Sequence, residues 1–298
     1  MKYNRLGDSN ILISEIGLGC MSLRTDTPEE SKYIIHKSID AGINYFDTAD
    51  LYDFGANEQL LGKAIKAQRE KVVVASKVGN KWNADKSGWT WDVSAEYIYK
   101  AIDQSLQRLQ TDYIDLYQIH GGTKEDNFEE VVETLEKLVE LGKIRAYGIS
   151  SIRPNVFTRF ASESNIVSNM MQFSLFDTRP VSYVKEIKEA NVSILARGAF
   201  AQGLLLGKPV RSYLDYSQEE VERMARAVEK LAAENGISVE ALSLAYLLQE
   251  QQITSAVVGV RTKEQLDSLL LAQNEIYQPS IDFSKLSISL INYTAHID

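Results

Sequence analysis

Four polar residues stand at or just beyond the ends of β-like runs: Asp47, Tyr52, Lys77 and His120. Their types make an acid–base device. A free tyrosine hydroxyl titrates near about 10, too high to donate readily at neutral pH. A lysine ammonium beside it stabilises the phenolate and so favours proton release. A carboxylate holds that lysine charged and in place, and a histidine next to the hydroxyl can donate a hydrogen bond to a carbonyl oxygen. Such a set protonates a carbonyl as a hydride arrives, with no metal. Singly, each has a plain structural use: a loop cap, a loop aromatic, a solvated cation, a satisfied histidine. All four on one rim are much harder to reach by accident.

One rim requires parallel strands. Short apolar runs over 16–19, 43–47, 72–76, 113–120, 144–150, 167–173, 192–196 and 254–259 read as eight buried strands. Helical patterns lie between them. Thr27-Pro28-Glu29-Glu30 reads as a capping box that opens a helix through Ile35 and Ile39 to a stop at Gly42. Ser94, Asn127, Ser217 and Ser238 open others, and two helices fall between the seventh and eighth strands. Alternating βα units imply right-handed crossovers, and eight of them close into a (β/α)8 TIM barrel. Segments 3–6 and 11–14 flank Gly7-Asp8-Ser9-Asn10 as an N-terminal β-hairpin that could plug the barrel's lower end. The expected fold is therefore α/β, one barrel domain over 1–298, with that hairpin and extra helices near the C-terminus. An open doubly wound sheet is the competitor. Gly17-Leu18-Gly19 lacks the third glycine of its dinucleotide fingerprint.

In a barrel, chemistry collects where strands end at their carboxyl side. Those ends also carry Ser150, Ser151, Gln172, Arg197, Gly259 and, just beyond, Arg261. A helix N-terminus with Arg261 and Lys263 nearby is suited to an anion. Trp82 follows Lys77 closely and reads as a pocket wall, with Met21 and Phe54 as further pocket candidates; Trp91 reads as packing.

Composition excludes other chemistries. Among 298 residues there are three His and one Cys, so thiolate metal clusters and internal disulfides are out. The net charge of −9 argues against a nucleic-acid surface. No leader-like h-region and no run approaching the ~18 apolar residues of a span are present, so a reducing cytoplasm and no membrane partner are expected. No exposed apolar stripe stands out, which leaves a monomer or weak oligomer.

These residues resemble a known family. Gly42-Ile43-Asn44-Tyr45-Phe46-Asp47-Thr48-Ala49-Asp50-Leu51-Tyr52, continued by Glu58 and Gly62, is similar to the signature of the aldo-keto reductases. Val74-Ala75-Ser76-Lys77 resembles that family's lysine strand. Asp112-Tyr113-Ile114-Asp115-Leu116-Tyr117-Gln118-Ile119-His120 resembles its histidine strand, and Gly142-Lys143-Ile144-Arg145 through Gly148-Ile149-Ser150 its serine strand. The resemblance runs from Leu6 to about Ala272 and is finest to bacterial, YqkF-like oxidoreductases.

It implies NADPH-dependent reduction of a small carbonyl substrate. Tyr52 would be the general acid, Lys77 its activator, Asp47 the partner of Lys77, and His120 the residue that orients the carbonyl. The substrate pocket would be Met21, Tyr52, Trp82 and His120. The NADP(H) contacts implied are Gly19, Cys20, Met21, Asp47, Ser150, Ser151, Gln172, Arg197, Gly198, Phe200, Gly203, Leu204, Lys208, Gly259, Arg261, Thr262 and Gln265.

The sequence departs from the family at several points. Ser151 stands where Asn is common, and Arg197-Gly198-Ala199-Phe200 replaces a Tyr-Ser-Pro-Leu segment. Ser268-Leu269 replaces a Glu-Asn pair that contacts adenine, and Gly121-Gly122 opens the rim beside His120. Two other readings compete: an NADPH-binding regulatory or redox-sensing module with little turnover, and a Schiff-base lyase using Lys77. A paired Asp47 would keep that lysine charged and poorly nucleophilic.

Overall fold

The computed structural model describes residues 1–277, 281–286 and 290–297. An antiparallel hairpin opens the chain, β1 (Tyr3–Arg5) with β2 (Leu12–Ser14). Then come β3 (Ile16–Gly19), β4 (Tyr45–Asp47) and β5 (Val73–Val78), a second hairpin of β6 (Asn80–Trp82) and β7 (Trp89–Trp91), and β8 (Ile114–Ile119). The series ends with β9 (Ile144–Ile149), β10 (Ser168–Gln172), β11 (Ser193–Arg197) and β12 (Ser255–Gly259). All but the two hairpins pair in parallel and close into a barrel. The (β/α)8 expectation holds.

The helices are α1 (Pro28–Asp40), α2 (Ala56–Ile65), α3 (Ala95–Leu109), α4 (Phe128–Glu140), α5 (Pro154–Glu163), α6 (Val184–Glu189), α7 (Gln218–Asn235), α8 (Val239–Ala245) and α9 (Lys263–Glu275). Helices α7 and α8 are the two expected between the last strands. Ser94, Asn127, Ser217 and Ser238 each accept the expected backbone N–H, and Ser217 with Glu220 completes a capping box. Thr27 is a correction. Its side chain caps nothing and its Oγ1 is buried without a partner. The turn is tied back instead by Ser31 Oγ, which accepts from Arg24 N–H and donates to Arg24 C=O. Among the described residues no helix is long and apolar enough to cross a membrane.

The first hairpin closes the lower end of the barrel. Leu6 and Ile13 are fully buried against Tyr45, Ala75, Leu116, Met170, Leu195 and Val257, the inward layer of the strands. Asn4 Nδ2 donates to Thr254 C=O and Gly7 N–H to Ser193 Oγ, which ties the plug to two strand starts. At Gly7, φ is +53° and an added Cβ would lie 2.3 Å from Val167 O, so only glycine lets the hairpin approach this closely.

Candidate active site

Strand side chains alternate between the two faces of the sheet. Tyr45, Ala75, Leu116, Leu195 and Val257 face the barrel interior. Two residues further along, Asp47, Lys77, Gln118, Arg197 and Gly259 must face it too. The register confirms one level: Lys77 pairs with Gln118, and Gly19 lies between Asp47 and Gly259. A polar layer thus caps an apolar one at the carboxyl end of the strands.

Lys77 is its hub and is 1% exposed. Its Nζ lies 2.5 Å from Asp47 Oδ1, 2.8 Å from Thr48 O and 3.2 Å from Tyr52 Oη. Those are three acceptors for the three N–H bonds of an ammonium. Burial works against that charge, but Asp47 and Tyr52 outweigh it and hold the lysine above its ordinary range. Burial in turn pushes the Asp47 carboxyl up, opposed by Lys77 and by Gln118, whose Nε2 donates to Oδ2 at 3.3 Å.

The His120 ring meets the Tyr52 ring edge-on, with centroids 5.8 Å apart and planes at 84°. Burial, then Lys77 and Arg197, push the imidazole down to about 3, so it is neutral at any working pH. Its Nδ1 is buried without a partner.

Tyr52 is carried by a tightly tied turn. Thr48 N–H donates to Ala75 O at 2.9 Å, Asp50 N–H to Lys77 O at 3.3 Å, and Tyr52 N–H to Ala49 O at 3.2 Å. Then Asp53, Phe54 and Gly55 all take positive φ (49°, 53° and 84°) and swing the chain into α2. For Phe54 this is a strained conformation, of order 1 kcal/mol or more. It sets the Phe54 ring 4.2 Å from Trp82, whose Nε1 donates to Leu51 O. Trp82 and Phe54 thus stack against the turn that carries Tyr52, and Met21 is 67% exposed. Trp91 packs beneath, with Nε1 on Asp126, and a Cβ at Gly79 would strike its ring at 2.7 Å.

Comparison with known proteins decides the family. The model of the aldo/keto reductase family matches residues 15–283. The chain belongs to the aldo-keto reductase family. It is 47% identical over 283 residues, 92% of each chain, to the uncharacterized oxidoreductase YqkF of Bacillus subtilis, in line with the finer likeness in the sequence. It is 29% identical over 87% of its length to the aldo-keto reductase yakc [NADP(+)] of Schizosaccharomyces pombe, covering 83% of that protein. The solved holo form of aldo-keto reductase AKR11C1 from Bacillus halodurans superposes with a TM-score of 0.91 at 40% identity, each chain covered in full. Aldo-keto reductases use nicotinamide cofactors on small carbonyl compounds, and this chain is an oxidoreductase of that kind.

The residues that the family likeness assigns to the cofactor lie around the same rim. Gly19 and Gly259 are strand neighbours, and a Cβ on Gly259 would lie 2.4 Å from Ser22 Oγ. Cys20 is fully enclosed, and burial, then Asp47, push its thiol well up, so its side chain is no nucleophile; its carbonyl accepts from Asn57. Ser150 follows β9 half-buried. Ser151 N–H donates to Asn169, and its Oγ accepts from Arg153 N–H.

Gln172 is clipped between Arg197 Nη1 (3.2 Å) and Tyr213 Oη (2.9 Å). Gly198 and Gly203 have φ of 74° and 93°; Lys208 runs so close past Gly203 that a Cβ there would lie 2.7 Å from it, and its Nζ bonds Gln202 O. Phe200 is half-buried and Leu204 is buried. Thr262 caps α9 by accepting from Gln265 N–H, and Gln265 reaches back to Arg261 N–H. Lys263 does not join Arg261, because its Nζ lies 4.5 Å over the Tyr33 ring. Ser268 bonds Glu240 and Leu269 is buried, so these two family adenine positions serve helix packing here.

Sequence reasoning passed over Gln118, Asn169 and Tyr213. Only Gln118 carried a usable signal: it sits two residues before His120, on the same strand face.

Proposed function

We propose that the protein reduces aldehydes or ketones with NADPH: carbonyl, NADPH and a proton give alcohol and NADP⁺, reversibly, on one barrel domain over 1–298. The observation that carries the reading is the saturated Lys77. Because the ammonium donates to Tyr52 Oη, the phenol's own O–H must point away from it, toward the open rim. Tyr52 is then the proton donor, and Lys77 stabilises the phenolate left behind. Asp47 holds Lys77, and Gln118 holds Asp47. Neutral His120 donates one N–H to the carbonyl oxygen and contributes no charge that would compete with Tyr52. A committed Lys77 also weighs against Schiff-base chemistry.

A nicotinamide cofactor fits the residues present. Gly19, Asp47 and Gly259 lie at one register level, and the Gln172 amide and Arg197 stand together at the neighbouring strand ends. When bound, the cofactor supplies the hydride. Ser150, Ser151 and Gln172 would hold the carboxamide and Arg197 would lie against the ring, while Arg261, Thr262 and Gln265 at the α9 N-terminus would take a 2′-phosphate. The NADP(+) in the name of the fission-yeast relative supports that preference. A cytoplasmic setting agrees with the free Cys20.

The test is a turnover assay with NADPH against a panel of aldehydes and ketones, nitrobenzaldehydes included. Oxidation of NADPH that depends on the carbonyl compound is expected. Folded protein that binds NADPH and turns over none of the panel would contradict the reading and favour a binding module.

A further inference from the structure

Behind the tetrad, between the barrel wall and the helices α2 and α3, lies a second buried polar cluster that the reaction as described does not use. Asp50 belongs to the turn that carries Tyr52, and its backbone N–H is bonded to Lys77 C=O. Its side chain is 8% exposed. The charged and titratable groups facing it are Glu58 from α2, Tyr97 and Arg108 from α3, and Tyr117 from β8. Glu58 is fully buried and takes both available donors, Ser76 Oγ at 2.5 Å and Arg108 Nε at 2.6 Å. Arg108 also donates from Nη2 to Ser105 Oγ. Among the described residues Asp50 forms no ion pair, and Arg108, committed to Glu58, only partly offsets its charge. Among side chains Asp50 has only the long contact from Tyr97 Oη (3.4 Å), with the Leu51 backbone N–H beside it; its Oδ1 is buried without a side-chain partner, as is the Tyr117 hydroxyl. A second carboxylate charge in this compartment would lie unpaired beside Glu58, which is costly.

We propose that Asp50 is a positioning residue for Tyr52: as a neutral acid it seats the turn that presents the phenol to the substrate, and its ionisation unseats that turn. The inference rests on Tyr52 being the proton donor. Electrostatics agree with the geometry, since burial and then Glu58 push the Asp50 carboxyl up to about 7. The folded value lies above the unfolded one, so the stability that the neutral acid confers is present in acid and lost as pH rises toward and through 7.

The experiment compares kcat–pH profiles and thermal unfolding of the full-length wild type, Asp50→Asn and Tyr97→Phe with NADPH and one aldehyde. An inactive ionised form lowers kcat about tenfold per pH unit above the group's midpoint. Wild type should therefore fall about tenfold between about pH 6 and pH 8, while Asp50→Asn, a neutral isostere, should change less than about twofold. Loss of the Tyr97 hydroxyl removes the donor to the anion, so that limb should move to higher pH. Wild type should also lose stability relative to Asp50→Asn over the same range. A parallel fall in Asp50→Asn, or a stability difference with identical kcat profiles, would reduce Asp50 to a structural role and overturn the proposal. Should Asp50→Asn fail to fold, an unshifted limb in Tyr97→Phe overturns it alone. Wild type that binds NADPH but turns over nothing would sink the reductase reading together with it.

Discussion

At the lower end of the barrel, Tyr45, Ala75, Leu116, Leu195 and Val257 point inward and pack under Leu6 and Ile13. Two residues along the same strands, Asp47, Lys77, Gln118, Arg197 and Gly259 point inward instead. The two layers are only about 7 Å apart. The lower one gains from removing apolar area from water, and its plug makes the closure. The upper one pays a desolvation cost for a buried ion pair and offsets it with hydrogen bonds from Lys77 to Thr48 O and Tyr52 Oη and from Gln118 to Asp47. One alternation thus segregates stability from chemistry, and each layer can be perturbed separately.

The sharpest break is Lys77→Met. It leaves Asp47 as an unpaired buried carboxylate and Tyr52 without its ammonium. Turnover should fall at least about 10³-fold, and unfolding free energy by about 3–5 kcal/mol, read by steady-state kinetics and denaturant titration. Loss of rate with unchanged stability would mean that the pair is not buried as described. In the other layer, Leu6→Ala should cost about 2–5 kcal/mol while the folded fraction keeps wild-type kcat. A large drop in kcat there would show that the two layers are coupled.

A smaller effect sharpens the contrast. His120 is held down to about 3, below its unfolded range. From about pH 6.5 toward pH 5 the unfolded chain takes up a proton that the folded imidazole refuses. Stability should slip by at most about 1.4 kcal/mol per unit there. His120→Gln should flatten that part of the curve, as followed by thermal unfolding against pH.

Much of this contrast was legible beforehand. The barrel strands lie in short, mostly apolar runs bounded by helical patterns, so each was visible alone, and the tetrad stood out because Asp47, Lys77 and His120 end such runs. What was hidden depended on partners far along the chain. Gln118 looks like one polar residue in an apolar strand until the register sets it beside Lys77. Tyr213 lies in a loop and reaches Gln172 only in three dimensions. Helix α2 carries Gly62, buried Asn57 and Glu58, which mask its pattern; a Cβ at Gly62 would lie 2.4 Å from Leu109 O, so close contact with α3 explains the glycine. Trp82 and Trp89 face each other across a hairpin, β6 with β7, whose three-residue strands are too short and too polar to show a period.

The central claim is that Tyr52 gives the proton within a site that binds its cofactor without it. Tyr52→Phe keeps the ring against His120 and removes only the hydroxyl. Single-turnover oxidation of bound NADPH by an aldehyde, measured beside NADPH affinity, tests this most directly. The rate should fall about 10²–10⁴-fold with the dissociation constant within about twofold of wild type. A variant that oxidises NADPH within about threefold of the wild-type rate would contradict the assignment of Tyr52 as the acid.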